Sequence, residues 1–168
     1  MNNNIAQNII LFIGLLFLQV IILNNVLFLG YINPFLYILF VIVYPLRKDR
    51  GVFLFLCFLL GFFIDFFTNS GGTNAAATLF IGYIRLPLLK TVLRKSEIDF
   101  PVFDITKQPF LKILSYIFIV TLIHSFIIFS LEYFKFSDIK IIFWRTFLTT
   151  IFTVILLIFS IMLLTRKK

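Results

Sequence analysis

The chain has 168 residues, 61% of them hydrophobic and 13% charged, with a mean hydropathy of +1.10. Soluble domains carry about 25% charged residues, and a globule this small has no interior for 25 phenylalanines, so the composition excludes an ordinary water-soluble domain and makes lipid the expected solvent. The net charge of +8 is spread in short clusters between apolar runs, a pattern that sets membrane topology and speaks against nucleic acid as a partner.

A spanning helix needs about 20 mostly apolar residues. Six stretches meet that need: 5–23, 26–46, 52–67, 74–93, 110–131 and 139–164. The first follows MNNNIAQN, which has no Lys or Arg before the apolar run and no small-residue cleavage site after it. It is therefore expected to be a retained helix and not a signal peptide. The second holds Gly30, Asn33 and Pro34 near its start. If Pro34 opens the helix, only residues 34–46 remain, short enough to need local thinning of the bilayer. The third contains the single Cys57, so no intrachain disulfide can form and metal-ligand cysteine spacing is absent.

Cys57, Gly61 and Asp65 lie at four-residue steps and share one face of the third helix. On the fourth, Asn74, Thr78, Gly82 and Arg85 form a second small and polar stripe, with Pro87 just beyond, where a bend is expected. Both faces are candidate docking surfaces for a partner helix, internal packing being the other use of such small-residue stripes. The loop 95–109 carries Pro101 and Pro109, which oppose a continuous helix there. Thr121, His124 and Ser125 mark one side of the fifth helix. The sixth has Trp144, suited to the outer interface, then Arg145, Thr149 and Thr153.

The connections test the count. Arg47, Lys48 and Arg50 separate the second and third stretches; Arg94, Lys95, Lys107 and Lys112 fall between or at the edges of the fourth and fifth; Arg166, Lys167 and Lys168 end the chain. Residues 24–25 and 68–73 carry no charge, and 132–140 carry both signs. Every second connection is basic. The expected architecture is thus an all-α single membrane domain over residues 1–168, with six transmembrane helices and both termini cytoplasmic.

Ionisable groups inside a bilayer are costly and face protein or water, with a partner. Asp65 is expected to point into the bundle, either paired with Arg145 at a similar depth or capping the turn at 68–74. Arg85 is expected to bond backbone carbonyls or to snorkel, and His124 to be hydrogen-bonded packing. The phenylalanine excess is expected to face lipid. No zincin, P-loop or nucleophile-elbow motif is present, and one His, one Cys and one intramembrane acid provide few parts for acid–base or metal chemistry. No enzyme activity, cofactor or metal is expected.

The Gly61-x-x-x-Asp65 step, the polar break with Gly71-Gly72, and the helix Asn74-Ala75-Ala76-Ala77-Thr78 running to Gly82-Tyr83 resemble the rod shape-determining protein MreD family. Gly30-Tyr31-Ile32-Asn33-Pro34 before a short second span and the basic turn 47–50 fit it as well. The specific part of the resemblance is 59–85; the remainder is a match of hydropathy and layout. The resemblance implies a non-enzymatic protein of the bacterial inner membrane that acts in cell elongation with MreC. Through MreC it implies association with MreB, RodA and a class B penicillin-binding transpeptidase. It also implies a fold similar to the six-helix substrate-binding subunits of energy-coupling-factor vitamin transporters. Gly61, Asp65 and the Gly71-Gly72 turn carry over as shape-determining positions, and no catalytic residue does. The aromatic richness of the chain and Thr73-Asn74 after the glycines depart from the family's commonest pattern. A second reading, a small-molecule-binding subunit of a vitamin or ion transporter, would set Asp65, Arg85 and His124 around a cavity.

Overall fold

The structure is a computed structural model that describes residues 5–26, 32–46, 50–95, 105, 108–133 and 139–166. Gly30, Tyr31, Arg47, Lys48, Pro101, Lys107, Lys167 and Lys168 lie outside the described residues. Those described form helices and turns without a strand. The elements are α1 (Ile5–Phe17), α2 (Ile38–Val43), α3 (Gly51–Thr68), α4 (Thr73–Leu93), α5 (Phe110–Tyr133) and α6 (Ile139–Arg166). With the turns that continue α1 to Asn25, five helices are long and apolar enough to cross a membrane: Ile5–Asn25, Gly51–Thr68, Thr73–Leu93, Phe110–Tyr133 and Ile139–Leu164. Their outward side chains are large and apolar, among them Phe55, Phe66, Phe143 and Phe159, each more than half exposed. Such a surface is compatible with a multi-pass membrane protein, because in water it would be an aggregation site.

The expected second span is different. Of residues 26–46, only Ile38–Val43 is an α-helix among the described positions, and a six-residue helix rises about 9 Å, far short of the ~30 Å hydrocarbon core. Every residue of α2 is buried, as are Phe35, Leu36, Tyr37 and Tyr44 around it. Hydropathy marked this stretch as a lipid-soluble span. The apolar side chains of Ile32 and of 35–44 instead fill the core between the long helices, and Pro34 and the turn at Leu36–Tyr37 keep the helix short.

Non-helical backbone is tolerated at this depth only where protein satisfies its polar groups. Here α1 and α6 do so. Gln19, fully buried, donates through Nε2 to the Pro34 carbonyl (3.0 Å) and accepts the Leu36 amide on Oε1 (2.9 Å). The Phe35 amide donates to Thr153 Oγ1 at 3.1 Å. Around Gln19, α1 widens into a π-type turn over Leu18–Ile22 and then tightens into a 3₁₀ turn over Leu23–Asn25. Asn25 Nδ2 donates back to the carbonyls of Val20 and Ile21.

The most intimate packing joins α3 and α4. A Cβ built on Gly61 would lie 2.5 Å from the Ala75 Cα and from the Asn74 carbonyl oxygen, and one on Gly82 would lie 2.9 Å from Cys57 Sγ. The two small-residue stripes therefore face each other. They form an internal seam and not the outward docking surfaces that the sequence also allowed. At the far end of α4 the helix runs through Pro87 without a break and ends at Leu93.

Candidate functional site

The α3–α4 connection is built for a carboxylate. α3 ends where Asn69 takes the left-handed conformation (φ 54°, ψ 39°), and Gly71 and Gly72 follow with φ of 68° and 93°. These values suit residues without a Cβ, so the chain reverses within five residues and starts α4 at Thr73. Helix starts leave backbone N–H groups without intrahelical partners. Asp65, one turn back on α3, takes two of them: the Asn74 amide donates to Oδ1 (3.0 Å) and the Ala75 amide to Oδ2 (2.7 Å). Asn74 Nδ2 (2.9 Å) and Ser70 Oγ (2.5 Å) also donate to Oδ1. Asp65 is 7% exposed. Thus one carboxylate closes the hairpin from the α3 side and sits at the positive end of the α4 dipole.

This arrangement decides between the two roles expected of Asp65. The turn is capped, and Arg145 is not among the partners of its carboxylate. Arg145 instead lies over the Tyr133 ring at 5.4 Å. Satisfying two backbone amides next to the carboxylate is local and geometrically enforced, whereas an ion pair with α6 would leave those amides open.

From Asp65 the polar contacts continue inward. Asn74 uses its amide hydrogens on Asp65 and on Ser70 Oγ (3.0 Å), so its Oδ1 is the acceptor for Tyr37 Oη at 2.8 Å. The one hydroxyl proton of Tyr37 is then committed. Its oxygen accepts from His124 Nε2, 3.0 Å away, which places a proton on that ring nitrogen. Asp65, Asn74, Tyr37 and His124 thereby tie α3, α4, the segment preceding α2 and α5 into one network. His124 is fully buried and packs edge-on to Phe35 and Tyr37.

Arg85 closes the other end of α2. Buried on α4, it donates through Nη2 to the carbonyls of Ile42 (3.3 Å) and Tyr44, and its guanidinium lies 4.8 Å from the Phe53 ring centroid. The last carbonyls of a helix lack intrahelical donors and carry partial negative charge. A cation there is a C-terminal cap, the carbonyl-bonded role expected from the sequence.

No family model, curated protein or solved structure matches this chain. Its functional reading therefore rests on its own residues.

Gly61, Asp65, Asn74, Thr78, Gly82 and Arg85 lie buried along the α3–α4 seam or against α2, and Gly71 and Gly72 form the turn. Thr78 Oγ1 donates to the Asn74 carbonyl at 2.6 Å. Arg145 stands apart, on the rim of a pocket of about 240 Å³ at this hairpin end. Gln19 and Tyr37 were not singled out, although both hold the bundle together. A lone Gln inside an apolar run of α1 was the available signal for the first; Tyr37 carries none, since tyrosine is as common at interfaces as in cores. On α6, Thr146, Thr149, Thr150 and Thr153 are all buried, facing inward as a hydroxyl-bearing stripe of which the sequence marked two members. Among the described residues, no three His, Cys, Asp or Glu side chains are grouped to hold a metal ion.

Proposed function

We propose that the chain is a non-enzymatic scaffold of the bacterial cell-elongation machinery, resident in the inner (cytoplasmic) membrane. It would control rod shape and lateral peptidoglycan synthesis through association with MreC and, through MreC, with MreB, RodA and a class B penicillin-binding transpeptidase. The observation that carries this reading is the Asp65 cap. The residues on which the resemblance to the MreD family rests, Gly61, Asp65, the Gly71-Gly72 turn and Asn74, are those that close one hairpin. A rigid hairpin presents a fixed outer surface to a partner, and pre-organisation of that kind lowers the cost of association.

The proposed layout has six crossings and cytoplasmic termini. It draws support from the course of 32–46: Pro34 meets Gln19 near the end of α1, Tyr37 meets Asn74 at the start of α4, and Tyr44 meets Arg85 and Phe53 near the start of α3. The segment runs antiparallel to α3, so a partly extended chain with a short helix makes the second crossing. The uncharged turns 24–25 and 68–73 then fall outside and the basic connections inside.

Depletion in a rod-shaped host tests the scaffold reading: cells are expected to round, and MreC is expected to co-purify with the chain from mild detergent. Rod-shaped growth with loss of neither would contradict it. The second reading, a small-molecule-binding subunit of a vitamin or ion transporter, draws on the outer pocket. Asp65, Arg85 and His124 do not line that pocket, and all three bond within the bundle. A nutrient requirement on depletion, without rounding, would favour this second reading.

A further inference from the structure

The pocket at the hairpin end is lined by side chains of both charges and by two asparagines with unused hydrogen-bonding atoms. Asn24 and Asn33 line it, between the end of α1 and the start of the α2 segment. Asn24 Oδ1 accepts from Gln19 Nε2 (2.9 Å) and Asn33 Nδ2 (3.2 Å). Those bonds leave Asn24 Nδ2, a donor, and Asn33 Oδ1, an acceptor, buried and without a partner. Unpaired buried amide atoms cost about 1–3 kcal/mol each, and a polar group in the pocket would relieve that cost once the two side chains turn toward it. Glu132, at the end of α5, and Arg145, on α6, line the same pocket, and Phe35 and Phe129 give it an aromatic floor.

These features narrow the ligand. At about 240 Å³ the space is below the ~300–1,000 Å³ of sites for drug-sized molecules. An apolar molecule would strand the amides and the charges. A simple anion would meet Glu132, and a simple cation would meet Arg145. We propose that the pocket binds a small zwitterion of amino-acid or dipeptide size, its carboxylate at Arg145, its ammonium at Glu132 and a further polar group between Asn24 and Asn33. The scaffold reading does not require this site; the transporter reading draws on the same pocket, and the test reads ligand binding alone, whichever of the two holds. Ser70 and Asn74 also line the pocket while bonding Asp65, so occupancy stiffens the hairpin and is readable as thermal stability.

The experiment is thermal unfolding of the full chain in detergent with each proteinogenic amino acid and glycylglycine at millimolar concentration, against sucrose as the control. A saturable rise of the midpoint is expected for at least one zwitterion, lost when its amine is acetylated or its carboxylate esterified. Glu132→Gln and Arg145→Gln should each weaken binding about tenfold or more, as expected for loss of a charge-assisted contact, while Phe66→Leu on the outer face of α3 leaves it unchanged. Asn24→Asp serves as a second variant if those two fold poorly: it keeps the acceptor that Gln19 and Asn33 use, replaces the free donor by an acceptor and adds a negative charge, and should weaken binding of the zwitterion's carboxylate end. No shift with any zwitterion, or equal shifts in all four variants, would overturn the proposal.

Discussion

Asp65 is the residue on which the hairpin turns. It accepts two backbone amides, an asparagine amide and a hydroxyl, a set that no neutral side chain of its size can match. Asp65→Ala leaves two helix-start amides facing apolar surroundings and is expected to destabilise the bundle by on the order of 3 kcal/mol. Asp65→Asn keeps one oxygen but turns an NH₂ toward donors, so it should recover only part of that loss. Thermal unfolding followed by circular dichroism in detergent ranks them; an Asp65→Ala midpoint equal to the wild type would remove the cap from the account. Under the proposed scaffold function, Asp65→Ala in a cell should lower membrane level or MreC recovery together with rod shape. Rounding with both unchanged would show that the carboxylate touches a partner directly.

Arg85 poses the same question at the other end of α2. Arg85→Met strands the carbonyls of Ile42 and Tyr44 and should cost about 2–4 kcal/mol, whereas Arg85→Lys keeps the charge but loses the planar fork and the stacking over Phe53, and should fall between. Equal stability of the Met variant would contradict a capping role.

At the scale of elements, the seam between α3 and α4 makes a ranked prediction about glycines. Gly61→Ala drives a methyl into the backbone of Asn74 and Ala75, which can retreat only by parting the helices; overpacking of this sort costs about 1–3 kcal/mol or more. Gly82→Ala meets the Cys57 side chain and should cost less. Gly14→Ala meets nothing within 4 Å on α1 and should be neutral or slightly stabilising. A Gly61→Ala protein as stable as Gly14→Ala would mean that the helices are not in contact there.

Much of this seam was legible beforehand, because four-residue spacing of Cys57, Gly61 and Asp65 against Asn74, Thr78 and Gly82 fixes which faces carry small residues. What spacing could not give was their partner, and each stripe turned out to be the partner of the other. The fate of 26–46 was less legible. A fully buried core helix and a lipid-facing span have the same hydropathy, and only Gly30, Asn33 and Pro34 hinted at a break. The pairing of Asp65 with Arg145 failed for a similar reason: depth along a helix says which groups are level, but not which of them local backbone donors have already claimed.

As a whole, the molecule is a bundle whose outer shell is apolar and whose polar side chains turn inward to hold a short, irregular second segment. Five long helices alone would leave the termini on opposite sides of the membrane. The proposed six-crossing layout assigns the remaining crossing to the antiparallel course of 32–46, in keeping with the alternation of basic and uncharged connections. The most direct measurement is accessibility labelling of single cysteines in a Cys57→Ala background, at Asn25, Arg50, Ser70 and Lys168, with a membrane-impermeant thiol reagent on intact cells. Labelling is expected at 25 and 70 on intact cells, and at 50 and 168 only after the membrane is opened. Labels at 50 and 168 reporting from opposite sides would contradict this layout.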